Sequence, residues 1–202
     1  MSEDTPQQDD HVPALDQKQL YSLRSFRVLL VEDYGFMADL VSSMLREMGV
    51  GFVKTVSSAK EAQILLTQYN ADSVPRDHFD IVITDWLLPE ISGATLISWI
   101  RDHKLDSIKF MPIILCSAYT SEEVVVEGRD KGANEVMVKP VSAEKLSKRM
   151  LYVIDNPRPF IKAPSFFGPD RRRQDKTFPG EDRRKIQAEE IETNYEQDEK
   201  ET

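Results

Sequence analysis

Glu32 and Asp33 follow the apolar run RVLLV, Asp85 follows FDIVIT, Ser117 closes PIILCS, and Lys139 follows EVMV. Carboxylates gathered in one place repel one another unless a positive group lies between them. A hard divalent cation meets that need: Mg2+ takes oxygen ligands in octahedral geometry and retains several waters. On this chemistry Asp33 and Asp85 are the expected direct ligands, Glu32 holds a coordinated water, and the Leu87 carbonyl completes the protein's share. A carboxylate beside such an ion has a second use, since it can attack a phosphoryl group in line and form an acyl phosphate. Asp85 is the candidate acceptor. The charge on the phosphoryl oxygens then needs partners. Those on offer are the Lys139 ammonium, the Ser117 hydroxyl, and the N–H groups after Asp85 and Ser117, the second being that of Ala118.

These groups meet only if the ends of several runs converge. Between residues 26 and 154 short apolar runs alternate with amphipathic ones. Strands are expected at 27–31, 51–56, 79–84, 112–117 and 135–138, where β-branched residues and leucines cluster. Helices are expected at 36–48, 58–68, 94–102, 121–132 and 142–154. The first rests on the spacing of Met37, Leu40, Val41, Met44, Leu45 and Met48, and others open on serine N-caps. Five strands alternating with five helices predict an α/β fold with a five-stranded, doubly wound parallel sheet, because parallel strands need crossover connections. Such sheets bind ligands beyond the carboxyl ends of their strands, where Glu32, Asp33, Asp85, Ser117 and Lys139 all fall. Taken singly, each has an ordinary structural explanation: a Glu-Asp pair caps a turn, a serine ends a strand, Lys139-Pro140 marks a bend. Their joint placement carries the inference. Residues 69–78 read as an inserted surface loop.

At 202 residues, 40% hydrophobic and 30% charged, the chain accommodates one ordinary domain with polar tails. No apolar run approaches the roughly 20 residues of a membrane span. The acidic start MSEDTPQQDD lacks the basic and apolar regions of a signal peptide. The single cysteine, Cys116, excludes a disulfide framework, and no Cys/His spacing suits zinc. A cytoplasmic location is the expectation, with no membrane partner. The net charge of −9 is unevenly spread. Residues 1–24 are an acidic extension, 25–155 the candidate domain, 156–185 a basic Pro/Arg-rich tail, and 186–202 an acidic end with the composition of disorder. Residues 157–185 carry nine basic and four acidic side chains, whereas 186–202 carry one and seven. So acidic a chain is a poor general partner for duplex DNA.

Four motifs sharpen the reading: V-E-D at 31–33, D-W-L-L-P-x-x-x-G at 85–93, S-A at 117–118 and V-K-P at 138–140. Together they resemble the response regulator receiver domain of two-component systems, in a layout similar to the single-domain chemotaxis regulators. The resemblance spans residues 26–155 and implies a flavodoxin-like receiver fold. It makes Asp85 the phosphoacceptor, places Glu32 and Asp33 in the Mg2+ site, and makes Ser117 the switch hydroxyl and Lys139 the phosphoryl-binding lysine. Pro140 becomes a structural turn, often cis in the family. The implied partners are a histidine kinase or histidine phosphotransfer protein and an unidentified downstream protein, met through the face of the fourth helix, fifth strand and fifth helix. The implied role is a switch that assists its own phosphorylation and dephosphorylation rather than an enzyme. A phosphate shuttle or sink in a phosphorelay is the alternative. A phosphohydrolase of the haloacid dehalogenase type is disfavoured, because Asp85 is followed by Trp86-Leu87 and not by D-x-D spacing. Many receivers carry Tyr or Phe three residues before the lysine; this chain has Val136. Bulky Leu87 and Tyr119, two residues after Asp85 and Ser117, are expected to shield the acyl phosphate and slow its hydrolysis.

Past residue 155, NPRPF reads as an extended linker. An internal echo follows: Phe166, Gly168, Asp170, Arg171 and Arg172 align with Phe178, Gly180, Asp182, Arg183 and Arg184, 12 residues on. Phenylalanine offers an apolar anchor, and paired arginines grip carboxylate or phosphate. The pattern is compatible with docking on the chain's own acidic domain or on a partner, and with a solvated linker. A phosphorylated ligand such as a cyclic dinucleotide, bound by arginine-rich tails in some relatives, is a further reading. The tail shows no helix-turn-helix pattern, so direct DNA binding is not expected. Oligomeric state is left open.

Overall fold

The computed structural model describes residues 23–71, 77–118, 122–163, 166–170 and 189–191. Strands β1 (Arg27–Val31), β2 (Phe52–Val56), β3 (Ile81–Asp85), β4 (Ile113–Ser117) and β5 (Glu135–Val138) form one sheet in the order β2-β1-β3-β4-β5. Every pairing in it is parallel. Helices α1 (Gly35–Glu47), α2 (Ala59–Asn70), α3 (Gly93–Arg101), α4 (Asp106–Lys109), α5 (Glu122–Asp130) and α6 (Ala143–Asp155) make the crossovers. The flavodoxin-like receiver fold expected from the sequence is the fold observed, with the single turn of α4 added.

Alternation along the strands feeds two cores. Leu29, Val31, Val82, Leu115 and Val136 join Leu66 of α2 and Leu96, Ile97 and Ile100 of α3 on one face. Val28, Leu30, Ile83, Ile114 and Met137 join Val41 and Leu45 of α1 and Leu146 and Met150 of α6 on the other. Burial on both sides explains the nearly unbroken apolar character of the strands. Serine caps start three helices: the hydroxyls of Ser58, Ser92 and Ser142 accept from the N–H groups of Glu61, Thr95 and Lys145. The expected loop 69–78 begins later than its composition suggested. Asn70 is helical and buried, and its amide both donates to Phe79 O at 3.0 Å and accepts from Phe79 N–H at 3.1 Å, so it stitches α2 to the lead-in of β3.

The register sets the rim. Val31 pairs with Val56 and Thr84, Asp85 with Cys116, and Ser117 with Val138, so the strands end nearly flush. Among the described residues no helix is long and apolar enough to cross a membrane.

Beyond α6, where the sequence suggested an extended linker, the chain folds back under the amino edge of the sheet. Strands β6 (Phe160–Ala163), β7 (Phe166–Pro169) and β8 (Glu189–Ile191) form a small antiparallel sheet with β6 at its centre. Phe160 is 0% exposed, packed on Phe110 and Phe167 at ring-centroid distances of 4.9 and 5.4 Å. The buried Arg101 guanidinium lies 5.0 Å from the Phe160 ring. That guanidinium donates to the carbonyls of Gly132, Lys109 and Met111 and to Asn134 Oδ1, all within 2.9 Å, and so ties together the turns on this edge. Of the candidate tail residues, Phe166 lies in β7, whereas Arg171, Arg172, Phe178, Arg183 and Arg184 lie outside the described residues, as does Tyr119.

Candidate functional site

The carboxyl ends of β1 and β3 bring Glu32, Asp33 and Asp85 to one pocket, with a carboxylate oxygen of each within 4.8 Å of the others. Glu32 and Asp85 are buried at 5% and 8% exposure, and Asp33 is exposed. Lys139, directly after β5, reaches into the pocket: its Nζ lies 2.8 Å from Glu32 Oε2 and 3.0 Å from Asp85 Oδ2. Its backbone is fixed by Lys139 N–H donating to Ser117 O at 2.7 Å, and the Lys139-Pro140 peptide is cis. Ser117 is fully buried at the end of β4, the strand beside β3, and Ala118 follows it at the surface.

The loop after Asp85 is drawn tightly against the strand. Trp86 N–H donates to Asp85 Oδ1 at 2.8 Å and to Cys116 O at 2.7 Å. Gly93 N–H donates to Trp86 O, and a Cβ on Gly93 would stand 1.9 Å from Asp85 O. Only glycine permits that approach, which explains the glycine closing D-W-L-L-P-x-x-x-G. Leu87 projects outward from this loop, 52% exposed.

Burial holds the Glu32 carboxyl above the ordinary carboxylate range, against the pull of Lys139. Burial opposes the charge on Lys139 as well, but hydrogen bonds to Glu32 and Asp85 outweigh it and keep the ammonium above its ordinary range. The pocket thus sets three acids around one cation. Glu32 Oε1 is buried without a hydrogen-bond partner. An all-oxygen donor set with excess negative charge and an unsatisfied buried oxygen suits a hard divalent cation.

All the expected rim residues lie at neighbouring strand ends: Lys139 meets Glu32 and Asp85 directly, and a carboxylate oxygen of Asp33 lies within 4.8 Å of theirs. Phe166 does not join them: it belongs to the small sheet at the opposite edge. Two groups escaped the sequence reading. Arg101 counted only as the end of a helix, and nothing in its spacing marks the four acceptors that it finds. Tyr34 and Phe36, immediately after the acidic pair, are 62% and 66% exposed with ring centroids 6.2 Å apart. An aromatic pair flanking the start of a helix beside charged residues was the available signal.

The family model for the response regulator receiver domain matches residues 28–151. The chain is similar to chemotaxis protein CheY-3 of Vibrio cholerae serotype O1, at 28% identity over 127 residues, covering 63% of this chain and 90% of that one. It is also 32% identical over 124 residues to the two-component response regulator-like APRR7 of Arabidopsis thaliana, covering 61% of this chain and 16% of that much longer one. Among solved structures it resembles CheY4 of Vibrio cholerae, with a TM-score of 0.55 at 29% identity, covering 63% and 98% of the two chains. The receiver domain of a signal transduction histidine kinase from Syntrophus aciditrophicus gives a TM-score of 0.54 at 25% identity, covering 64% and 90%. The family match stops before the small antiparallel sheet. It takes in every residue of the acid pocket, and the chain belongs to the response regulator receiver domain family.

Proposed function

We propose that this chain is a phosphorylation-operated switch: Asp85 accepts a phosphoryl group from a phosphohistidine of a histidine kinase or phosphotransfer protein, with Mg2+ as cofactor, and the output is made through protein contacts. The observation that carries this reading is Lys139 Nζ seated between Glu32 Oε2 and Asp85 Oδ2, at 2.8 and 3.0 Å, in a pocket shared with Asp33. Glu32, Asp33, Asp85 and the Leu87 carbonyl are the groups that would hold the metal, which when bound neutralises charge on the phosphoryl oxygens.

The remaining work falls to the chain. Asp85 Oδ1 is held by the backbone N–H of Trp86, and Oδ2, which faces Lys139, is the oxygen that attacks phosphorus. The new O–P bond forms as the donor's P–N bond breaks, and the electron pair departs on the imidazole nitrogen. Lys139, already at Oδ2, transfers its hydrogen bond to a phosphoryl oxygen. The Ser117 hydroxyl and Ala118 N–H, on the neighbouring strand end, serve a second oxygen. Exposed Tyr34, Phe36 and Leu87, each one to three residues from a pocket acid in sequence, offer apolar contact to the donor protein.

Incubation of the full chain with acetyl phosphate and Mg2+, followed by intact-mass spectrometry, tests the reading. One added phosphoryl group is expected, lost on Asp85→Asn and on chelation of Mg2+. Labelling of Asp85→Asn to the wild-type level would refute it.

A further inference from the structure

Residues 157–163 and 166–170 strap the far ends of the elements that flank the phosphoacceptor pocket. The route starts at Trp86, covalently next to Asp85. A Cβ on Gly128 of α5 would stand 3.9 Å from Trp86 Cζ3, 3.2 Å from Val136 Cγ2 and 2.6 Å from Leu115 Cδ2. Glycine at 128 therefore lets α5 close directly on Trp86, β4 and β5. With Val136 in β5, the bulky ring that meets α5 here is that of Trp86, the residue next to the acceptor.

From that contact two short steps reach the strap. Glu135, next to Val136 and 1% exposed, accepts from Arg149 Nη1 of α6 at 3.1 Å and from Arg158 Nη2 of the strap at 2.9 Å. Gly132, in the turn after α5 with φ of 99°, lies against β7: a Cβ on Gly168 would stand 2.9 Å from Gly132 Cα, and one on Gly132 would stand 3.1 Å from Phe167 O. Arg158 Nη2 also donates to Tyr152 Oη of α6 at 3.2 Å. The strap thus grips α5, β5 and α6 at once, by backbone-to-backbone packing and a buried carboxylate that leave no slack.

We propose that this strap is a phosphorylation-sensitive clamp, docked across α5, β5 and α6 while Asp85 is free and loosened when Asp85 carries a phosphoryl group. The inference rests on the role proposed for Asp85. Phosphorylation draws Lys139 off Asp85 Oδ2 and alters the carboxyl group that holds Trp86 N–H, so the contacts of β5 and α5 with Trp86 must readjust. Packed surfaces rearrange between discrete fits rather than deforming continuously. The strap is complementary to the arrangement without phosphate, so it loses contact in the other. By linkage, a strap that phosphorylation loosens opposes phosphorylation by the same factor.

Hydrogen–deuterium exchange on the full chain, with and without Mg2+ and the phosphoryl mimic beryllofluoride, tests this. Trp86 fluorescence in a Trp99→Phe background reports occupancy of the site. At saturation, amides of residues 157–163 and 166–170, among them the Asp170 N–H bonded to Pro159 O, are expected to exchange about fivefold faster or more. Amides of α2 are expected to stay unchanged. Unchanged strap exchange at a saturated site would overturn the clamp alone. A fluorescence titration with no binding would overturn the role of Asp85 and the clamp with it. Reciprocally, Gly168→Ala and Arg158→Ala, each in the full chain, are expected to bind beryllofluoride about fivefold more tightly than wild type. Equal or weaker binding by whichever variant folds would overturn the proposal.

Discussion

Substituting Phe160→Ala tests whether the strap is an integral part of this fold. Phe160 has no solvent exposure, and its ring meets Phe110 edge-on at 79°, Phe167 at 5.4 Å and the Arg101 guanidinium at 5.0 Å. Truncating a buried phenylalanine to alanine costs about 3–5 kcal/mol, the lower figure where the surroundings can collapse into the space. The walls here include β7, a four-residue strand that can settle inward, so about 3 kcal/mol is expected. Arg101 keeps its three carbonyls and Asn134, so no buried charge is stranded. For a chain of this size the loss corresponds to a fall of roughly 6–12 °C in Tm. Urea denaturation followed by circular dichroism is the assay, with Lys162→Ala on the exposed side of β6 as the control. A lower midpoint at unchanged m-value is expected for Phe160→Ala alone. A loss below about 1 kcal/mol would mean that the strap melts away before the parallel sheet, which would refute its membership of the cooperative unit.

Lys139→Met removes the cation from a pocket of three acids. Mg2+ is expected to bind on the order of tenfold more tightly by calorimetry, because a competing positive charge is gone. Phosphorylation by acetyl phosphate is expected to slow by about a hundredfold or more, and a variant unchanged in both would contradict the geometry. Gly93→Ala drives a Cβ into the Asp85 carbonyl, so a loss of about 1–3 kcal/mol in urea and slower phosphorylation are expected. Wild-type stability would show that the loop is slack. Burial pushes the Cys116 thiol up to about 12, so at pH 8 it stays neutral and resists iodoacetamide until urea is added. Rapid alkylation of the native chain would count against a closed β4 core.

The parallel sheet was legible because double-sided burial writes itself into the sequence as apolar runs, and because strand ends fall at fixed places relative to those runs. Glu32, Asp85, Ser117 and Lys139 could be placed on one rim from that rule alone. What stayed hidden depends on contacts between distant residues. Asn70 looks like loop composition, yet its amide finds both backbone groups of Phe79 and becomes the last buried turn of α2. NPRPF has the prolines of a linker, but Phe160 finds a slot made by Phe110 and Arg101, which no local pattern announces. Gly128 and Gly132 fall within the expected helix 121–132, and Gly168 counts only as part of the tail echo, until the backbones they admit are in view. The pairing of Lys139 with Glu32, 107 residues apart, was foreseeable only as a shared rim and not as a contact.

In the proposed role, Asp85 is the residue that takes up phosphorus. Reaction of the phosphorylated chain with borohydride reduces an acyl phosphate to the alcohol, converting the acceptor aspartate into homoserine. Peptide sequencing by mass spectrometry is expected to find homoserine at position 85, dependent on Mg2+. Homoserine at position 33 instead, or at no position in a chain that has gained phosphate, would contradict the account.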